Sequence, residues 1–195
     1  MFNLSSNLRR AVAWVAAINL AYFGVEFSAA LYLGSVSLFA DSIDFLEDSS
    51  INLLILIGLG WSAAKRSILG QVLAAVILVP GIATLWQAWE KFNFPIAPEP
   101  LPLSVVGAGA FAANLVCALI LVRYRSEAGS LTRAAFLSAR NDVFANMAIV
   151  GAGIATAFTT SAWPDLIVGL GIAVLNADAA RDVFRAARSE ADPHS

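Results

Sequence analysis

Six long apolar runs, separated by short polar or proline-bearing breaks, divide this chain. A bilayer core about 30 Å thick takes roughly 20 apolar residues in a helix, and each run meets that length. The pattern predicts spans at about 8–33, 36–62, 68–93, 103–123, 132–160 and 164–187, at that spanning length. The segment PIAPEPLP after the third run is a loop, because its prolines cannot continue a helix. Gly151 and Gly153 in the fifth run, and Gly169 and Gly171 in the sixth, are expected to let helices approach closely. The expected fold is all-α, an integral membrane protein of six transmembrane helices. Residues 1–188 form the membrane domain and 189–195 a short polar tail.

Composition places lipid around that bundle. Hydrophobic residues make up 59% of the 195 residues and charged residues 13%, with mean hydropathy +0.75. Soluble domains carry about a quarter charged residues. The net charge of -2 offers no basic footprint for nucleic acid. Cys117 is the single cysteine, which excludes an intrachain disulfide and reads as a small core-filling side chain. His194 is the single histidine and lies in the polar tail, so one chain cannot build a zinc site of several His and Cys ligands. The opening MFNLSSNLRR leads into a run too long for a signal-peptide core, hence a retained span.

Basic residues orient the bundle. Arg9, Arg10, Lys65, Arg66, Arg123, Arg125, Arg133, Arg181, Arg185 and Arg188 fall on one side, and only Lys91 on the other. Positive charge marks the cytoplasmic side, so both termini are expected there, in a multi-pass protein of a bacterial inner membrane.

Ionisable groups inside a membrane mark function by default, because lipid penalises them. The second run holds Asp41, Asp44, Glu47 and Asp48. At about 100° per residue these and Asn52 share one arc, with Leu46 and Leu53 opposite. The fifth run repeats the spacing with Ser138, Asp142 and Asn146. An Asn precedes each stripe: Asn19 before Asp48, and Asn114 before Asp142. Two related halves with a midplane site would produce such an echo. At about 1.5 Å per residue, Asp44 and Asp48 lie roughly 12 and 18 Å down from one face, and Ser138 and Asp142 roughly 9 and 15 Å up from the other. Antiparallel helices would present Asp44, Asp48, Asp142 and Ser138 around one point near mid-membrane. Three carboxylates there repel one another; a divalent cation relieves the repulsion and displaces protons. The competing reading is a set of protonated, hydrogen-bonded packing residues, which fits three Asp at matched depth less well.

These residues also resemble a known family. SVSLFADSIDFLEDSSINLL resembles the second span of the cation diffusion facilitators, the cation efflux transporters. SARNDVFANMAIVGAGIATAF and SAWPDLIVGLGIAVL resemble their fifth and sixth spans, and INLAYFGVEFSAALYLGSVSL the first span and loop. The resemblance covers essentially the whole chain. It implies six helices, a cytoplasmic N-terminus, a homodimer and metal/proton antiport. It also implies a transport site of two ligands four apart on each of two spans, here Asp44 with Asp48 and Ser138 with Asp142. Asp41, Asn52 and Asn146 would support those ligands. Two departures stand out. Ser138 occupies the position where the family most often has His. The family's usual C-terminal cytoplasmic domain and His-rich loop have no counterpart in these residues; this marks a compact member. Dimerisation is then expected through membrane helices, with the aromatic end of the third span (Trp86, Trp89, Phe92) as a contact surface.

The donors are oxygen atoms, which suit manganese first, with iron, cobalt and magnesium behind it; zinc stays open, because carboxylates also bind it and the resemblance makes it a common substrate. The partners expected are a divalent cation, protons and the lipid bilayer, with no resident cofactor. Arg140 is expected to be neutralised by an acid on a neighbouring helix, Glu47 or Asp178, or to form a gating ion pair. Glu26, Asn19 and Asn114 are expected to make interhelical hydrogen bonds. A non-transporting membrane partner or sensor on the same scaffold remains the alternative. An intramembrane enzyme has no His base or Ser–His pair within the spans to support it.

Overall fold

The structure is a computed structural model. It describes residues 6–58, 65, 68, 72, 82–124 and 129–175, with backbone alone for 57–58 and 129–138. The described residues build helices in chain order: α1 (Ser6–Leu33), α2 (Val36–Gly58), α3 (82–93), α4 (Pro100–Val122), α5 (Gly129–Thr159) and α6 (Trp163–Leu175). The first half of the third expected span, the end of the sixth and the tail at 189–195 lie outside the described residues.

Local chemistry sets the helix ends. Gly34 adopts a left-handed φ of 60°, which turns the chain between α1 and α2. Ser35 then caps α2: its Oγ accepts the Leu38 N–H at 3.2 Å, and its carbonyl accepts the Phe39 N–H at 3.2 Å. Proline begins α4, where its missing N–H costs no helical bond. Between α5 and α6, Thr160 takes a φ of 51°.

The helices pair as two hairpins, α1 along α2 and α4 along α5, and the hairpins meet through α1 with α4 and α2 with α5. Ala30, Leu38, Ile43, Leu103, Ile149 and Ile172 join five of these helices in one apolar cluster. Val15, Cys117, Leu121 and Ala139 form a second cluster between the N-terminal half of α1, the C-terminal half of α4 and α5.

The distribution of polarity is inverted relative to a water-soluble protein. Phe158 is 86% exposed and Trp14 66%, together with Leu31, Val105, Leu119 and Ile154. Asn19, Glu26, Asp41, Asp48, Asn52, Asn114, Asn146 and Asp165 are buried. Apolar outside and polar inside is the arrangement lipid demands. By length and composition α1, α4 and the Ala139–Thr159 part of α5 can cross a membrane. The acids of α2 lower its apolar character, and α3 and α6 are described over part of their length only.

Two of the four expected close-approach glycines act as such. A Cβ on Gly169 would come within 2.6 Å of the Val36 carbonyl carbon, and one on Gly153 would strike Ser104. Gly151 and Gly171 meet no neighbour within 4 Å among the described residues. The expectation fails there because spacing alone cannot say which side of a helix meets a neighbour.

Candidate metal-transport site

The stripe Asp41, Asp44, Glu47, Asp48 and Asn52 turns into the seam between the hairpins, while Leu53 opposite is exposed. From α5, Asp142 lies close to the Asp48 carboxyl of α2. Asp44 lies within electrostatic range of Asp142, Asp41, Glu47 and Asp48. The α2 and α5 carboxylates are therefore neighbours. They do not close on a point: among the described residues, no three His, Cys, Asp or Glu side chains are arranged to hold a metal ion. The Ser138 side chain lies outside the described ones.

Amide side chains hold the acids from neighbouring helices. Asn19 on α1 donates to Asp48 Oδ2 at 3.4 Å and accepts a contact from the Cys117 thiol at 3.4 Å. Asn114 on α4 donates to Asn146 Oδ1 at 3.1 Å, and Asn146 Nδ2 donates to Asp41 Oδ2 at 2.5 Å. Asn19 and Asn114 thus make the interhelical bonds expected of them. The echo between halves slips by one turn: Asn19 meets Asp48, but Asn114 meets Asn146 rather than Asp142. Asn52 bonds within α2, to the Asp48 carbonyl at 2.7 Å.

The seam is rich in acceptors and poor in donors. Among the described residues, both side-chain oxygens of Glu26, Oδ1 of Asp41, Oε2 of Glu47, and Oδ1 of Asn52 and Asn114 are buried and meet no hydrogen-bond donor. The Glu26 carboxyl faces that of Asp41 rather than an N–H or O–H. Two carboxyl groups can hydrogen-bond only with a proton between them. Such a seam can take up cations: protons, a metal ion, or each in turn.

Arg140 points away from the seam, as its helical position implies. It is exposed and donates to its neighbour Asn141 Oδ1 at 3.4 Å, not to Glu47. Its helix face carries the guanidinium away from the seam, and Asp178 lies outside the described residues.

A second polar node, absent from the expectations, ties the bundle at the end bearing the α1–α2 turn. Asp165, in the first turn of α6, is fully buried. Its Oδ1 accepts from Ser35 Oγ at 2.6 Å, Ser37 Oγ at 2.6 Å and Ser37 N at 3.2 Å. Its Oδ2 accepts from Val36 N at 2.9 Å and from Lys91 Nζ of α3 at 3.0 Å. Lys91 also donates to the Gly34 carbonyl at 2.5 Å. A carboxylate at a helix N-terminus, beside an ammonium group, is well compensated.

The family model described as the cation efflux transmembrane domain matches residues 12–190. Two proteins named zinc transporter ZitB, from Yersinia pseudotuberculosis serotype I (strain IP32953) and from Yersinia pestis, are each 26% identical over 190 residues, 90% of this chain. The chain spans 60% of the length of each of these relatives. With helices throughout the described residues, an inside-out bundle and this match over most of its length, the chain belongs to the cation efflux family.

Proposed function

We propose that the protein carries a divalent metal cation across the membrane in exchange for protons, using Asp44, Asp48, Asp142 and the Ser138 hydroxyl as ligands. The observation that carries this reading is the nearness of Asp142 to Asp48 and Asp44, in a seam of buried acceptors that meet no donor among the described residues. A cation among these carboxylates would draw α2 and α5 together, because opposite charges attract strongly where water is scarce. Asp41 and Asn146 bridge the two helices from one turn away and would orient the ligands, as outer partners do at metal sites. Displacement of protons by the metal gives the exchange its chemistry. Both termini lie on the cytoplasmic side in this reading, and the protein works as a homodimer with the exposed Trp86, Trp89 and Phe92 of α3 as a contact surface.

The oxygen donor set favours manganese, with iron(II), cobalt(II) and magnesium behind it. The names of the two Yersinia relatives keep zinc in the comparison. The test is metal-dependent proton flux in proteoliposomes, with the ions in competition, on the natural chain and on Ser138→His. Flux in the natural chain, with a rise of zinc relative to manganese in the variant, is expected, since imidazole suits zinc better than a hydroxyl. Absence of flux for every ion would favour the non-transporting partner or sensor. A natural chain that already strongly prefers zinc, unchanged by the substitution, would remove Ser138 from the ligand set.

A further inference from the structure

We propose that Lys91 and Asp165 are positioning residues for transport: their ion pair holds α2 against α3 and α6 and keeps this end of the bundle closed, and it must open for the α2 carboxylates to face this side. The inference rests on the transport reading above. It begins from geometry. Asp165 fastens the first residues of α2 with bonds to Ser35, Val36 and Ser37. Asp44 lies eight residues further along the same helix, about 12 Å away at 1.5 Å per residue. Whatever fixes the start of α2 therefore fixes the level and tilt of the proposed ligands.

Three further contacts close the same end. Gly169, one turn after Asp165, lets α6 lie directly on the Val36–Ser37 backbone. Val36, Ala88 and Leu166 form an apolar cluster of α2, α3 and α6. Phe92 meets Trp163 edge-on, with ring centroids 5.9 Å apart. A cation leaving a mid-membrane site toward this side would have to pass where these contacts meet, so alternating access requires them to part.

Lys91 is the part of the node suited to release. The bonds from Ser35, Val36 and Ser37 to Asp165 join only two segments, the start of α2 and α6. Lys91 adds the third, holding Gly34 and Asp165 at once from α3. Its ammonium sits on a flexible stem that can swing to water, where it is well hydrated. Loss of Lys91 leaves Asp165 with its capping bonds but without its counter-charge. The closed arrangement loses support while α2 keeps its cap.

The experiment uses the full chain in liposomes, with Cys117→Ala as background and Ala40→Cys as reporter. Ala40 is buried and one turn before Asp44 on the same stripe. A membrane-impermeant maleimide is applied on the side bearing Gly34, and equilibrium zinc or manganese binding is measured in parallel. Lys91→Met is expected to raise the labelling rate about tenfold by shifting the closed–open balance. Metal affinity at the distant carboxylates should stay within about threefold. Lys91→Arg, which keeps the charge, should restore slow labelling. If the Met variant does not reach the membrane, Lys91→Gln takes its place. Labelling that stays slow in the neutral variants makes the node a static staple and overturns the proposal. Because labelling needs no metal, that outcome is distinct from failure of the transport reading, which would show as a natural chain that binds no metal.

Discussion

Two buried acidic clusters sit in this bundle, and they are built on opposite terms. At Asp165 both carboxylate oxygens are met by hydroxyls, backbone N–H groups and an ammonium. Along the seam between the hairpins, acids face acids, and among the described residues six side-chain oxygens of Glu26, Asp41, Glu47, Asn52 and Asn114 meet no donor. Burial of a polar group costs free energy unless it is paired. The Asp165 cluster therefore stabilises the fold as it stands. Among the described residues the seam brings no ammonium or guanidinium group to its acids, and a cation is what the protein is proposed to carry there. Full pairing marks structure; acceptors without donors mark a place for a ligand.

Single substitutions should separate the two clusters. The largest effect on stability belongs to Asp165→Ala, which strands the Lys91 ammonium and the N–H groups of Val36 and Ser37. A loss of about 3–5 kcal/mol is expected, as for other broken buried ion pairs, measured by denaturation in detergent. The largest effect on transport belongs to Asp44→Ala and Asp142→Ala. Each should abolish metal-dependent proton flux while changing stability by less than about 1 kcal/mol, because removing one of several like charges relieves repulsion. A large stability loss at Asp44 with transport intact would reverse the comparison.

Gly169→Ala comes next. Its Cβ would press on the Val36 backbone at 2.6 Å, and overpacking of this kind costs about 1–3 kcal/mol. Gly171→Ala, with no neighbour within 4 Å among the described residues, serves as its control and should change little. The smallest effect is expected at Asn114→Ala, about 0.6 kcal/mol, the average for a hydrogen bond inside a membrane protein. Asn146 keeps its bond to Asp41 in that variant.

The helical plan and the seam were legible in the sequence because both are periodic. Apolar runs of spanning length set the helices, and the i, i+4 stripes of α2 and α5 set which acids turn inward. Asn19 and Asn114 could be assigned to interhelical bonds because an amide in lipid must find a partner. The Asp165 node carries no period. Its acid and the serines it binds are 130 residues apart for Ser35, and Lys91 read only as a marker of topology. The signal available was an Asp in the first turn of a span, at the same end as Lys91 and the Ser35–Ser37 cap. Arg140 was half legible: its turn away from the seam follows from the helical period, and its other candidate partner, Asp178, lies outside the described residues.

Equilibrium metal binding to the purified full chain tests the central contrast most directly. Manganese and zinc are titrated against the natural protein, Asp142→Ala and Asp165→Asn. The account predicts one cation bound per chain, lost in Asp142→Ala and retained in Asp165→Asn wherever that variant folds. Binding that survives Asp142→Ala but disappears with Asp165→Asn would place the cation at the fully paired cluster and contradict the account.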